Sequence, residues 1–174
     1  MNEKRILLRH FLAALTYRTQ KALRGAPSSF GDFNAGQDLR TPAQLVQHMT
    51  SVLGYARTFF IGGNYNPDAL PSLSEEIARF HEMVIDLAAH IASDSTLRDE
   101  MTEERILQGP LSDAMTHAGQ LAMLRRLAGS PVAPENFVFA DITPERLGAA
   151  QTAPVKPDTV WPEAPAGWSP LRDK

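Results

Sequence analysis

Asp113 and His117 stand four residues apart in the stretch GPLSDAMTHAGQLAMLRRLAG, residues 109–129. On a helix that spacing sets the two side chains about 6 Å apart on one side. A carboxylate and an imidazole so placed can hold one metal ion. A third donor, His48, lies in TPAQLVQHMTSVLGYARTFF, residues 41–60, and would reach the same ion from a facing helix. Two neutral imidazoles and one carboxylate leave coordination positions open for water or substrate, as catalytic rather than structural sites do. The set suits zinc, matches the ligand types of the non-haem iron facial triad, and also accommodates nickel. A cation there would acidify bound water toward neutral pH. Gln120, three residues after His117, is placed to steady an imidazole by a hydrogen bond.

Each of these residues has a plainer reading beside the metal one. His48 falls within the apolar stripe of its helix, where a histidine ordinarily packs in the core with one hydrogen-bond partner. Asp113 sits in the first turn of its helix as the punctuation marks it, at the positive end of the macrodipole. Without an ion, the three would form a polar network. Among the other histidines, His10 borders the first helix's stripe and is a candidate for the same cavity. His81 flanks the stripe of the third helix as a boundary residue, and His90 falls on its polar side. Arg125 and Arg126 near a helix C-terminus favour that helix's own dipole. Met49, Tyr55, Phe59 and Phe60 line a pocket or fill a core. No Ser-His-Asp arrangement, Gly-rich phosphate loop or paired-carboxylate signature is present.

The elements that must position these side chains read as four amphipathic helices. Residues 2–24 form the first, with Leu7, Phe11, Ala14 and Leu15 on its stripe and Gly25 as C-cap. Residues 25–40 are a loop rich in Gly, Ser, Pro and Asp, long enough to be a crossover or part of a site wall. Thr41 and Pro42 open the second helix, which carries Leu45, His48, Met49, Val52, Ala56, Phe59 and Phe60 up to Gly62–Gly63. Ser72 with Glu75 suggests a capping box for the third helix, whose stripe is Ile77, Phe80, Val84, Leu87 and Ile91. Residues 94–108 fit a short helix or an extended connection. The fourth helix runs from Pro110, at its first position, to Gly129, with Leu111, Ala114, Ala118, Leu121 and Leu124 on one face. Helices of about 20 residues and 30 Å bury such stripes against one another, which predicts a four-helix bundle over residues 1–130.

Residues 131–174 differ in composition, holding most of the prolines and both tryptophans, Trp161 and Trp168. Repeated proline excludes a long helix or a central strand, and ENFVFADIT is left as a short strand or a turn. The tryptophans predict docking of this extension on the bundle or on a dimer partner. With 17 Lys and Arg against 20 Asp and Glu, the net charge of −3 gives no electrostatic footprint for nucleic acid. Cysteine is absent, so disulfides, thiolate nucleophiles and zinc-finger sites are excluded. No apolar window reaches the length of a membrane span, and Arg9 and His10 interrupt the N-terminal apolar run, against a secretory signal. A soluble, cytoplasmic protein is the expectation.

A helix bearing one histidine in QLVQHMTSVL, followed by a late helix with a ligand four residues before the His-x-Gly-Gln of DAMTHAGQ, resembles the DinB-like (DinB/YfiT-like) superfamily. The extension LAMLRRLAG is similar to that family's continuation of the helix, and the resemblance covers residues 2–130. It implies an up-down-down-up four-helix bundle, commonly a homodimer, with a divalent zinc, nickel or iron ion held by three side chains, usually all histidine. His48 and His117 match ligand positions, and Asp113 stands where the family usually has its other histidine. An aspartate there adds a negative charge and shifts preference toward harder cations, or marks a degenerate site. The resemblance further implies hydrolysis, or transfer involving a low-molecular-weight thiol, on a small molecule. The alternative is a non-catalytic ligand-binding or dimerisation bundle. Neither reading includes a nucleic-acid or membrane partner.

Overall fold

The computed structural model describes residues 2–93, 95–162 and 164–166. The structure is all-α. Helix α1 spans Glu3–Leu23, α2 Pro42–Ile61 and α3 Leu73–Ala92. In the last rod a short α4, Glu103–Ile106, runs through a π-helical turn at Leu107–Leu111 into α5, Ser112–Leu127. Each rod starts on a side chain that satisfies amide groups no intrahelical carbonyl can reach. Asn2 accepts from the Arg5 amide at 2.9 Å. Thr41 and Gln44 make a complete reciprocal capping box, with Pro42 in the first turn. Ser72 caps α3 through the Glu75 amide, but the Glu75 carboxylate bonds the Ser72 hydroxyl instead of its backbone, so that box is half made.

Two readings of the helices need correction. The fourth helix does not begin at Pro110. Thr102 caps the rod, and Ile106, Leu111 and Ser112 are all in right-handed helical conformation, so Pro110 lies inside a continuous helical path. Proline lacks an amide proton and crowds the preceding turn, and the wider π turn absorbs both effects. The Ser112 backbone amide and hydroxyl both donate to the Leu107 carbonyl, the hydroxyl at 2.7 Å. The second correction concerns α1. Leu7 is 69% exposed, and the buried face runs instead through Leu8, Leu12, Leu15, Thr16, Thr19 and Leu23. Leu7, Phe11 and Ala14 line, with His10 and Leu107, a groove of about 410 Å³ between α1 and α4. The stripes on the other rods are where expected: Phe80, Val84, Leu87 and Ile91 on α3, and Ala114, Ala118, Leu121 and Leu124 on α5, are buried.

Helices α1 and α2 each pack against both α3 and α5. Arg5, at the start of α1, donates to the Ser93 and Ser95 carbonyls beyond the end of α3, at 2.6 and 2.7 Å, and to Glu103 at the start of α4, at 3.0 Å. Late in α2, Arg57 pairs with Asp86 late in α3 at 2.8 Å, and Phe60 stacks on His90. Arg125, near the end of α5 and 3% exposed, donates to the Ala22 and Arg24 carbonyls that close α1 and to the Ser130 carbonyl. It therefore closes a neighbouring helix as well as favouring its own.

Described residues after α5 pack on the helices. Phe137–Phe139 form a 3-10 turn in the ENFVFADIT stretch, and Glu135 and Pro157 form an isolated antiparallel bridge. The Tyr17 hydroxyl donates to both oxygens of buried Glu135, at 2.8 and 3.0 Å. Burial and then the Glu135 carboxylate push the Tyr17 phenol up. Lys21 donates to the Ala133 carbonyl. Trp161 is 5% exposed, whereas Trp168 lies outside the described residues. His81 is not a boundary residue: it is buried, with Nδ1 2.9 Å from the Leu147 carbonyl and Nε2 3.1 Å from the Gln20 side chain. The carbonyl requires the proton on Nδ1, and burial lowers the affinity of this ring for a second proton.

Arg125→Ala leaves buried carbonyls of α1 without donors and is expected to destabilise the fold by about 2–4 kcal/mol in chemical denaturation. Support of its own dipole alone would give about 0.3–1 kcal/mol. His81 makes the fold sensitive to acid. Its folded pKa lies below the unfolded value of 6.5, so the unfolded chain takes up a proton that the folded chain refuses. Stability is therefore expected to fall as pH drops through 6.5, and more steeply in the wild type than in His81→Gln. Parallel stability–pH profiles would contradict this.

Candidate metal centre

The site forms where α2 and α5 pack together. On α2, Leu45 and Met49 are buried and fix the rotation of the helix, which leaves His48 at the edge of the apolar face with its side chain 31% exposed. On α5, buried Ala114 and Ala118 flank His117, and their small side chains leave room for its ring. The π turn, which also packs on α2, takes up an extra residue, so the face that α5 presents is offset from that of α4. Because helical backbone continues upstream of Asp113, this carboxylate does not sit at a free helix end. The dipole reading loses its basis.

His48, Asp113 and His117 each offer one ligand atom, all within 4.8 Å of one another, a group that could hold a metal ion. The two imidazoles meet edge to face, with 4.8 Å between ring centroids and 76° between planes. His117 Nε2 is 3.2 Å from one oxygen of Asp113, and His48 Nε2 is 3.8 Å from the other. His117 Nδ1 faces the Gln120 amide oxygen at 2.7 Å. With that oxygen as acceptor the ring proton sits on Nδ1, and Nε2 presents a lone pair. Nε2 is buried and has no hydrogen-bond partner, its approach to Asp113 being out of alignment. A buried ring nitrogen with a lone pair and no donor to meet it, set 3.2 Å from a carboxylate oxygen, gains a partner when a cation sits among the three side chains. The donor set therefore fits a cation, and the Gln120 contact is the kind that orients a ligating imidazole.

The His48 imidazole is held neutral. Burial is the larger cause, followed by the Arg40 guanidinium and then His117, while Asp113 works in the opposite direction. A neutral ring is the form that binds a metal. In front of His48 opens a polar cavity of about 380 Å³ lined by Arg40, Gln44, Gln47, His48 and Ser51. Apart from His48, none of these was singled out from the sequence as a site residue. Gln44 and Ser51 stand about one helical turn on either side of His48, a signal on the polar side of α2, whereas Arg40 precedes the helix and carries none.

The remaining candidates lie elsewhere. His10 is exposed in the α1–α4 groove and does not join the site. His81 secures the C-terminal chain, and His90 is half buried against Phe60, with Nε2 3.6 Å from Asp86. Met49 is in the core, and Tyr55 is 56% exposed with its ring against Phe59. No family model, curated protein or solved structure matches this chain. No helix among the described residues is long and apolar enough to cross a membrane.

In the metal-free protein, His48 is expected to titrate below 6.5 when followed by NMR, and Arg40→Gln is expected to raise its midpoint. A midpoint above 6.5 would mean that Asp113 outweighs burial and Arg40.

Proposed function

We propose that this chain is a DinB-like metalloprotein that holds one divalent ion at His48, Asp113 and His117 and acts with it on a small molecule. The buried, unpartnered Nε2 of His117 facing Asp113 is the observation that carries the reading. The helix-end contacts support an up-down-down-up course. The start of α1 meets the end of α3, α2 and α3 share their late ends, and α5 finishes beside the end of α1. The motif residues His48 and His117 lie on adjoining helices, as the resemblance requires.

Two imidazole nitrogens and one carboxylate oxygen favour zinc, nickel or ferrous iron over calcium or magnesium. A divalent ion held by three side chains, with a position open, supplies Lewis acidity and a place where water or a thiol can ionise. Around it, this chain's residues orient and select. Gln120 fixes the His117 ring by its hydrogen bond, and Arg40 and burial keep His48 neutral. The polar cavity beside His48 admits a small molecule. The chemistry is hydrolysis or transfer to a low-molecular-weight thiol. In the second case the sulfur comes from the thiol, because the chain has no cysteine.

Protein purified without chelator is expected to carry about one divalent ion per chain by elemental analysis. His48→Ala and His117→Ala should abolish stoichiometric metal, and Gln120→Ala should weaken affinity by about 10–100-fold while leaving the fold intact. Metal-free protein that takes up neither zinc nor nickel, with melting unchanged in the two histidine variants, would favour a non-catalytic helical protein with a polar network at this place.

A further inference from the structure

We infer that the polar cavity beside His48 is the binding place of an oxyanion group, a carboxylate or a phosphate, carried by the small molecule this site acts on. The inference deepens the metalloprotein reading and rests on it. Two neutral imidazoles and one carboxylate leave a divalent centre with a net charge of about +1. Arg40 adds a second positive charge on the same cavity wall. Its guanidinium makes no hydrogen bond or ion pair with any described residue, so its fork of donors is open to a ligand. Such a fork matches the two oxygens of a carboxylate or phosphate.

The other lining groups add to this. The Gln44 side-chain oxygen is engaged in the helix cap through the Thr41 amide, which leaves its NH2 group available to the cavity. Gln47 donates to the Pro67 carbonyl and Ser51 to the Gln47 carbonyl, so both are already oriented. The lining contains no acidic side chain. Asp113, the one carboxylate of the centre, is not among the lining residues and belongs to the donor set. At about 380 Å³ the cavity suits a small acid or phosphate ester and is too small for a peptide or polynucleotide.

The test uses the full chain loaded with cobalt(II), whose visible absorption reports ligands entering the coordination sphere. Cobalt uptake is measured first, then acetate, inorganic phosphate and, as a neutral control, imidazole are titrated. Acetate or phosphate is expected to shift the spectrum saturably, and the one that does so names the group. On fully cobalt-loaded protein, Arg40→Gln is expected to weaken that binding tenfold or more and to weaken imidazole binding far less. Cobalt uptake with no response to either anion, or with equal anion affinity in Arg40→Gln, overturns this inference and leaves the metal reading standing. No cobalt uptake overturns both.

Discussion

The meeting of His48, Asp113 and His117 on adjoining helices, with His117 Nε2 buried and unpartnered and a second imidazole packed edge to face against its ring, is the constraint on which the site depends. The three side chains meet because α2 and α5 are held in contact, with Leu45 and Met49 of α2 and Ala114 and Ala118 of α5 buried beside them. The helical framework thus gathers two imidazoles and a carboxylate at one point, where a cation would give the unpartnered Nε2 of His117 a partner.

The rest of the architecture can be understood as holding that framework still. Arg5 ties the start of α1 to the end of α3 and the start of α4, and Arg125 ties the end of α5 to the end of α1. With both ends secured, the last rod has little freedom to rotate about its axis, and rotation is the movement that would take Asp113 and His117 away from His48. The π turn around Pro110 adjusts the phase of that rod ahead of the site. The described residues after α5 meet α1 and α3, through Tyr17–Glu135 and His81–Leu147, on helices that contribute no donor to the site.

Much of this was legible in the residues. Thr41-Pro42 and Ser72 marked two helix starts, because side-chain caps act locally. The stripes of α3 and α5 were legible because one face of each rod is consistently apolar. On α1 two apolar rows compete, Leu7-Phe11-Ala14 and Leu8-Leu12-Leu15, and the second is extended by Thr16 and Thr19, whose polarity conceals their burial. Thr16 is accommodated by donating to the Leu12 carbonyl, a bond that composition does not reveal. Pro110 was misplaced because proline is usually a first-turn residue, and a π turn leaves no mark in the sequence. The burial of His81 and Arg125 depends on carbonyls more than 60 residues away, so no local pattern could disclose it. The pairing of Asp113 with His117 follows from helical spacing alone. The approach of His48 required two helices to face each other, which the stripes implied without specifying the register.

The central claim is that His48, Asp113 and His117 share one ion. Anomalous diffraction at the absorption edge of zinc or nickel, from crystals of the metal-loaded full chain, tests it most directly. The account predicts a single strong peak within about 2.0–2.2 Å of both His Nε2 atoms and of an Asp113 oxygen. A map with no peak among these three side chains, or with His48 turned away to solvent while the ion sits elsewhere, would contradict it.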